Sequence, residues 1–190
     1  MQVMERPMVE SRIETTPGVW PAGPERVALV AVVFTGAIFG FFYAWVCSTM
    51  WGLDDADPRV AIEAMQAMNA SVRNAVFFPA FFLTPLVLAA AAALLHRSGR
   101  SVAARWFGAA AVVYTLGGLV LTMAVNVPMN EDLAEVVVPS SESAADVIWG
   151  DYSGRWQLWN AIRAGLSGVA LALAANGLRM AGRVGPTVNR

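Results

Sequence analysis

One short run of residues late in the chain combines a cation, an amide and an aromatic ring. On a helix, the spacing of Trp156, Asn160 and Arg163 places all three on one face, with Ser167 one turn further along. A guanidinium and an amide offer hydrogen bonds to negative or polar groups, and an indole offers a flat apolar surface. The run therefore predicts a polar cluster that is organised by Arg163.

A second polar run, residues 126–133, places Pro128 between Asn126 and Asn130. Proline disfavours helical geometry at the residue before it and lacks a backbone donor, so we expect a helix to end here. The two amides then have two interpretations. Either they cap the carbonyls that the helix end leaves free, or they form a polar cluster that faces a substrate.

A weak internal similarity connects these features to the first half of the chain. Residues 66–73 (QAMNASVR) are similar to residues 157–163 (QLWNAIR), with a shift at the arginine. The similarity suggests two helical hairpins of like orientation. It leads to the hypothesis that Asn69, Arg73, Asn160 and Arg163 surround one cavity, with both arginines facing inward.

The composition shows which elements must position these residues. The chain has 190 residues, of which 57% are hydrophobic and 14% are charged, whereas soluble proteins have about 25% charged residues. A helix of about 20 apolar residues crosses a bilayer, and four stretches have this character: residues 27–50, 74–95, 106–125 and 157–179. We predict an all-α, integral membrane four-helix bundle at residues 27–181, between a flexible tail at residues 1–26 and a short C-terminal tail at residues 182–190.

The fourth stretch is short for a membrane span. Its uncharged part, Ala164–Leu178, covers only about 22 Å of a hydrocarbon core of about 30 Å. A complete crossing must begin near Gln157, which places Asn160 and Arg163 at membrane depth. The guanidinium of Arg163 then either extends back to the headgroups or points into the bundle, where charged residues mark functional sites.

The distribution of arginine predicts the orientation. With four spans, nine of the 13 basic residues, all of which are arginine, fall on the side of the two termini, so both termini are predicted to be cytoplasmic. On the opposite side, Asp57 before Pro58 predicts the start of a short amphipathic helix along the membrane surface. Residues 140–143 (SSES) predict a second helix start, which gives a helical second outer loop.

Several classes of protein are excluded or disfavoured. A net charge of −1 provides no basic surface for nucleic acid. Cys47 has no partner for a disulfide or a redox pair, and His96 alone can neither ligate a haem from both sides nor build a metal site. We therefore expect no metal site and no nucleic-acid partner.

These motifs together resemble the DUF1772 family of small bacterial membrane proteins, which is grouped with the anthrone oxygenases. The resemblance rests on the run Asn-Val-Pro-Met-Asn-x-x-Leu at residues 126–133 and on the run Arg-Trp-x-x-Trp-Asn-x-x-Arg at residues 155–163. The run Gly-Phe-Phe-Tyr at residues 40–43 and the Phe-Pro pair at residues 78–79 support it. The likeness extends from about residue 27 to residue 180.

The resemblance implies a four-helix membrane bundle and, in some members, an oxygenase that converts anthrones to anthraquinones without a cofactor. Such an enzyme deprotonates an acidic, phenol-like substrate, stabilises its anion and excludes water. We expect catalytic roles for Arg163, Asn160 and Asn130. We expect substrate-binding roles for six further residues: Asn126, Trp156, Trp159, Arg73, Asn69 and Tyr43.

No motif identifies a catalytic base. Glu63, Asp132 and Asp151 are candidates if one of them folds over the mouth of the cavity, and otherwise they are ordinary loop acids. The expected partners are the lipid bilayer, a lipophilic aromatic molecule and a second copy of the chain, since Gly36-x-x-x-Gly40 is a pattern of helix dimers. The expected location is the bacterial plasma membrane.

A non-enzymatic membrane protein is the alternative interpretation. Such a protein would bind a lipid or a quinone, or would act as an assembly partner. Every polar residue named above also has an explanation as a helix cap or as an interfacial group. A closed apolar cavity with Asn160 and Arg163 on its wall would favour a ligand-binding or enzymatic role.

Overall fold

The structure, a computed structural model, describes residues 23–182, and these residues form five helices without a strand. The helices are α1 (Pro24–Asp54), α2 (Pro58–Ser71), α3 (Phe77–Arg97), α4 (Ser101–Ala134) and α5 (Glu142–Ala181). All except α2 are long and apolar enough to cross a membrane. The predicted all-α fold with four spans is thus confirmed. The outermost parts of both predicted tails, residues 1–22 and 183–190, lie outside the described residues, and the orientation of the termini stays a prediction.

The four long helices form a bundle in the cyclic order α1, α3, α4, α5. Helix α5 packs along both α1 and α4, and α3 packs along the same two helices from the other side. Small residues permit the closest contacts. A Cβ atom at Gly117 would lie 2.6 Å from Cβ of Leu166, so α4 and α5 meet at this level because Gly117 has no side chain.

Gly36, the first glycine of the Gly36-x-x-x-Gly40 pattern, also lies at a contact between two helices of the same chain. A Cβ atom at Gly36 would lie 3.8 Å from the side chain of Leu171 on α5, whereas one at Gly40 would meet nothing within 4 Å. Gly36 therefore contributes to the contact between α1 and α5. The homo-oligomer stays a prediction, and only Gly40 of this motif is open to a second copy.

Helix α4 does not end at Pro128, so that prediction was wrong. It runs on as Val127–Ala134 after two π-helical turns, Thr115–Val120 and Thr122–Asn126. Each π turn places an extra residue in the helical ladder. We attribute the continuation past Pro128 to these wider turns, because in a regular α-helix the proline ring clashes with the carbonyl four residues earlier.

Helix α5 is longer than the predicted fourth span. It begins after Ser141, whose Oγ accepts a hydrogen bond from the backbone N–H of Ala144 at 3.4 Å, so the predicted helix start is confirmed. The helix then continues without a break for 40 residues. At 1.5 Å per residue this is about 60 Å, roughly twice the thickness of a hydrocarbon core.

The first turns of α5 belong to a capping lobe, which also contains α2 and the adjoining ends of α1 and α4. Helix α2 buries Ala61, Ile62 and Met65 completely, in one cluster with Trp149 and Trp156 of α5. Its apolar side thus faces protein rather than the membrane surface, because the extended α5 provides an apolar face for it.

Polar bonds hold the capping lobe onto the bundle. The side chain of Gln66 donates to the carbonyls of Leu133 and Val136 at 2.8 and 2.9 Å. Asp54, at the end of α1, accepts from Trp149 Nε1 at 2.9 Å and from Gln157 Nε2 at 2.8 Å.

The start of α2 is the predicted cap. Oδ1 of Asp57 accepts from the backbone N–H and from Nε of Arg59, both at 2.9 Å, and Arg59 Nη1 donates to the carbonyl of Ser140 at 3.2 Å. The pKa of the Asp57 carboxyl falls from 3.8 to about 2, chiefly because the side chain of Arg59 donates to it and then because the backbone of Arg59 does so. The Asp57–Arg59 pair thus connects the start of α2 to Ser140, just before the start of α5.

We predict that Gly117→Ala destabilises the bundle. The added methyl group would overlap the side chain of Leu166, and overpacking of this kind costs about 1–3 kcal/mol. The measurement is the thermal unfolding midpoint of the purified protein in detergent, which should fall.

Gly108→Ala is the matched control, because a Cβ atom at Gly108 in the same helix would meet nothing within 4 Å. This variant should unfold at or slightly above the wild-type temperature, since alanine favours helix by about 1 kcal/mol over glycine. Equal unfolding midpoints of the Gly117→Ala and Gly108→Ala variants would contradict the close contact at Gly117.

We predict a pH-dependent contribution from Asp57. Because its pKa is lowered in the folded protein, the ionised carboxyl stabilises the fold above pH 3.8, and this stabilisation is lost as the pH falls towards 2. The difference in unfolding free energy between wild type and Asp57→Asn should therefore be largest above pH 4, shrink as the pH falls through about 2 and vanish below that. Asp55→Asn is the control, and a difference that grows on acidification would refute the role of Asp57.

Candidate functional site

The centre of the site is the guanidinium of Arg163, which lies inside the bundle. The residue is only 5% exposed. Its Nε donates to Oδ1 of Asn160 at 3.0 Å, and its Nη1 donates to Oγ1 of Thr122 at 3.4 Å. Its Cζ lies 4.4 Å from the ring centre of Phe42 and 5.0 Å from that of Trp156. Of the two interpretations of Arg163, the structure has the inward one.

No carboxylate among residues 23–182 forms an ion pair with this cation. The neighbours of Arg163 are neutral oxygens and aromatic faces, which stabilise a cation but do not cancel its charge. A buried charge without a counter-ion is costly. The site is therefore electrostatically complementary to an anion.

Asn160 positions the guanidinium and connects two helices. It is 1% exposed, and its Nδ2 donates to the carbonyl of Phe42 on α1 at 3.2 Å, while its Oδ1 accepts from Arg163. Since the carbonyl of Phe42 can only accept, the orientation of the Asn160 amide is fixed. The oxygen must face Arg163.

A cavity of about 290 Å³ adjoins Arg163, at the level where the bundle meets the capping lobe. The volume is at the lower end of the range for small-molecule sites, about 300–1,000 Å³. Most of the wall is aromatic, and it comes from α1, α3 and α5: Phe41, Phe42, Trp45, Phe77, Phe78, Phe81, Phe82 and Trp156. Such a wall suits a flat aromatic molecule.

The polar part of the wall consists mainly of hydrogen-bond donors. Asn130 uses its Oδ1 to accept from Tyr152 Oη at 2.9 Å and from Trp156 Nε1 at 2.8 Å, and its Nδ2 donates to no other group among the described residues. Asn69 is 9% exposed, and its buried Nδ2 has no hydrogen-bond partner in the described chain. With Arg163, these groups form a set that can hold a carbonyl or an anionic oxygen.

The rim of the cavity carries an ion pair. Nη2 of Arg73 lies 3.4 Å from Oε1 of Glu131, and both side chains are about half exposed. Both residues line the cavity, and both also line a shallower polar groove on its outer side, together with Gln66 and Glu135.

The predicted site residues fall into three groups. Five line the cavity: Asn69, Arg73, Asn130, Trp156 and Arg163. Asn126 and Asn160 are buried beside it, and neither amide atom of Asn126 has a hydrogen-bond partner among residues 23–182. The expectation that Asn126 caps a helix end is therefore wrong, since the helix continues there. Tyr43 and Trp159 lie elsewhere, and Tyr43 is 51% exposed and stacks on Phe39.

The hypothesis of two inward arginines holds for one of them. Arg163 is buried, whereas Arg73 lies at the rim, because α2 ends at Ser71 before it. The three candidate bases do not line the cavity. Asp132 and Asp151 line a separate outer groove, and Glu63 is exposed on α2.

Sequence reasoning missed Glu131, Thr122 and most of the phenylalanine wall. The signal for the wall was present in residues 77–82 (FFPAFF), where aromatic residues recur at helical spacing beside the predicted cavity. Nothing in the sequence distinguished Glu131 from Asp132, its neighbour, which faces the other way.

Comparison with known proteins gives one result. A family model described as anthrone oxygenase matches residues 68–173, which is more than half of the chain. The matched segment begins at the end of α2 and includes every polar residue of the cavity wall. No curated protein and no solved structure gives a significant match.

We predict that the bond between Asn160 and Arg163 behaves as a buried, interdependent pair. Asn160→Leu removes the acceptor of a buried guanidinium, so it should cost about 3 kcal/mol of unfolding free energy. Adding Arg163→Met removes the unpaired charge as well, and the double variant should be more stable than Asn160→Leu alone. The measurement is a double-mutant cycle of thermal unfolding in detergent, and strictly additive costs would contradict the pairing.

Proposed function

This chain belongs to the anthrone oxygenase family, and on that premise we propose that it is a membrane-embedded monooxygenase. Its substrate is a lipophilic aromatic ketone or phenol of the anthrone type, bound in the cavity beside Arg163. The observation that carries the proposal is a buried guanidinium, on the wall of an aromatic cavity, that has no carboxylate partner among residues 23–182.

An uncompensated cation favours the reacting form of such a substrate. Loss of a proton converts an anthrone to an anion whose charge is concentrated on its oxygen. Arg163, with the free donors of Asn69 and Asn130, can stabilise that oxygen. Burial strengthens the attraction, because the dielectric inside the bundle is lower than in water.

The reaction consumes one molecule of oxygen and releases one of water. The substrate anion transfers an electron to oxygen, and the two resulting radicals combine into a peroxide at the ring carbon opposite the carbonyl. Loss of water from the protonated peroxide leaves a second carbonyl, which makes the quinone. The protein's residues bind, orient and stabilise charge, and we propose, as the family implies, that no cofactor takes part.

The position of the cavity suits a lipophilic substrate. Phe78, Phe82 and Met123 line it and are also 41–47% exposed on the apolar side of the bundle. A hydrophobic molecule dissolved in the bilayer can therefore reach the cavity between α3 and α4 without crossing water. We propose that the protein acts as a multi-pass protein of the bacterial plasma membrane, with the bilayer as the source of its substrate.

We predict that Arg163→Met abolishes oxygen consumption with an anthrone such as emodin anthrone. Without the cation, the substrate anion loses its main stabilisation, so turnover should fall by about 100-fold or more. The measurement is oxygen uptake and quinone formation by purified protein, relative to the spontaneous oxidation of the anthrone.

Arg155→Met is the matched control, because Arg155 lies on the same helix but outside this cavity. It should retain wild-type turnover. A wild-type protein that binds an anthraquinone but does not accelerate oxygen uptake would refute the enzyme and favour the alternative, a membrane protein that binds quinones. Equal turnover by Arg163→Met and wild type would refute the role of Arg163.

A further inference from the structure

The wall of the cavity contains one carboxylate, that of Glu131, within the described part of the chain. The other charged residues on this wall are Arg73 and Arg163. The reaction proposed above needs a group that removes a proton from the substrate. A carboxylate is a common group for that task, and it must be within reach of the substrate in the same cavity.

Glu131 also connects the cavity to water. It lines the polar groove on the outer side of the rim together with Gln66, Glu135 and Asn69, and its side chain is 58% exposed. The same carboxylate can therefore exchange its proton with solvent between turnovers. Asp132, the adjacent acid, lines a different groove and lacks this connection.

We propose that Glu131 is the catalytic base, and that the ion pair with Arg73 holds its carboxylate over the mouth of the cavity. This inference rests on the proposed function. It assigns opposite ends of the cavity to opposite tasks. Arg163 holds the substrate oxygen at the deep end, and Glu131 takes the proton at the rim.

The spacing along α4 fits a three-ring ketone. Thr122, which contacts Arg163, and Glu131 are separated by about 12–14 Å along the helix axis. In a six-membered ring, the carbonyl oxygen lies about 4 Å from the carbon opposite. A hydrogen-bond length at each end brings the span to about 10 Å, which is of the same order as the separation along α4.

Glu131 takes one proton from the substrate and later gives the same proton back. The C–H bond at the ring carbon opposite the carbonyl breaks, its proton moves to a carboxylate oxygen of Glu131, and the electron pair passes into the ring system onto the oxygen held by Arg163. Molecular oxygen then takes one electron and combines with the ring carbon. The proton on Glu131 returns to the peroxide, which loses water.

The charged and titratable groups around Glu131 define the setting of this step. Arg73 pairs with it from just beyond the end of α2, Arg163 lines the same cavity from α5, and Glu135 lines the outer groove one turn later along the chain. The ion pair with Arg73 limits the directions in which the carboxylate can turn.

The test uses full-length protein in detergent and an anthrone deuterated at the reacting carbon. Glu131→Gln should lower kcat by about 100-fold or more with little change in KM. It should also raise the deuterium isotope effect on kcat, since breaking the C–H bond becomes rate-limiting. The defect should shrink at high pH, where the substrate ionises in water without help, and Glu131→Asp should recover part of the rate.

Glu135→Gln is the matched control, because Glu135 lines the outer groove but not the cavity, and it should keep wild-type activity. Wild-type kcat in Glu131→Gln, together with an inactive Arg163→Met, would overturn the role of Glu131 and leave the proposed function intact. A rate loss with an unchanged isotope effect and no recovery at high pH would show a structural role and also overturn it. If the wild type oxidises no anthrone, the proposed function and this base fail together.

Discussion

The constraint on which the rest of the structure depends is a buried cation for which the described part of the chain provides no counter-ion. Arg163 is retained in the bundle by one amide, one hydroxyl and two aromatic faces, contributed by α1, α4 and α5. Those groups must be in place at the same time, since a guanidinium with missing partners is expensive to bury. Asn160 sets the spacing of α1 and α5, and Thr122 sets the position of α4. These neutral groups stabilise the buried cation without cancelling its charge, so the charge can still attract an anionic ligand.

The capping lobe completes the site from the other side. Helix α2 contributes Asn69 to the cavity wall and is held against α5 by a fully buried apolar side. Asn130 accepts from Tyr152 and Trp156, which fixes the end of α4 above the cavity. The lobe is therefore a packed cover rather than a loose loop. It covers the aromatic wall from one side, while the rim at Arg73 and Glu131 stays about half exposed.

The sequence alone was enough to predict the deepest part of the site. The last span is too short without Arg163, and the spacing of Trp156, Asn160 and Arg163 is that of one helix face, so their proximity followed from length and periodicity. Two features of α4 could not be predicted: the position of Glu131 on the cavity wall, and the continuation of the helix past Pro128. Both depend on π turns, which shift the register of the helix and have no recognisable residue pattern. Tyr43 does not line the cavity, because neighbouring residues of a helix point about 100° apart and the preceding residue, Phe42, is the one that faces inward.

The π turns of α4 have an evolutionary consequence. Each contains one residue more than an ordinary turn needs, so a deletion there would restore a regular helix instead of breaking it. Because the wider turn absorbs the extra residue, Asn130 and Glu131 beyond it would point in nearly the same direction after such a deletion. A lineage could thus lose a π turn in a single genetic event and still keep the groups at the rim opposite the guanidinium on α5.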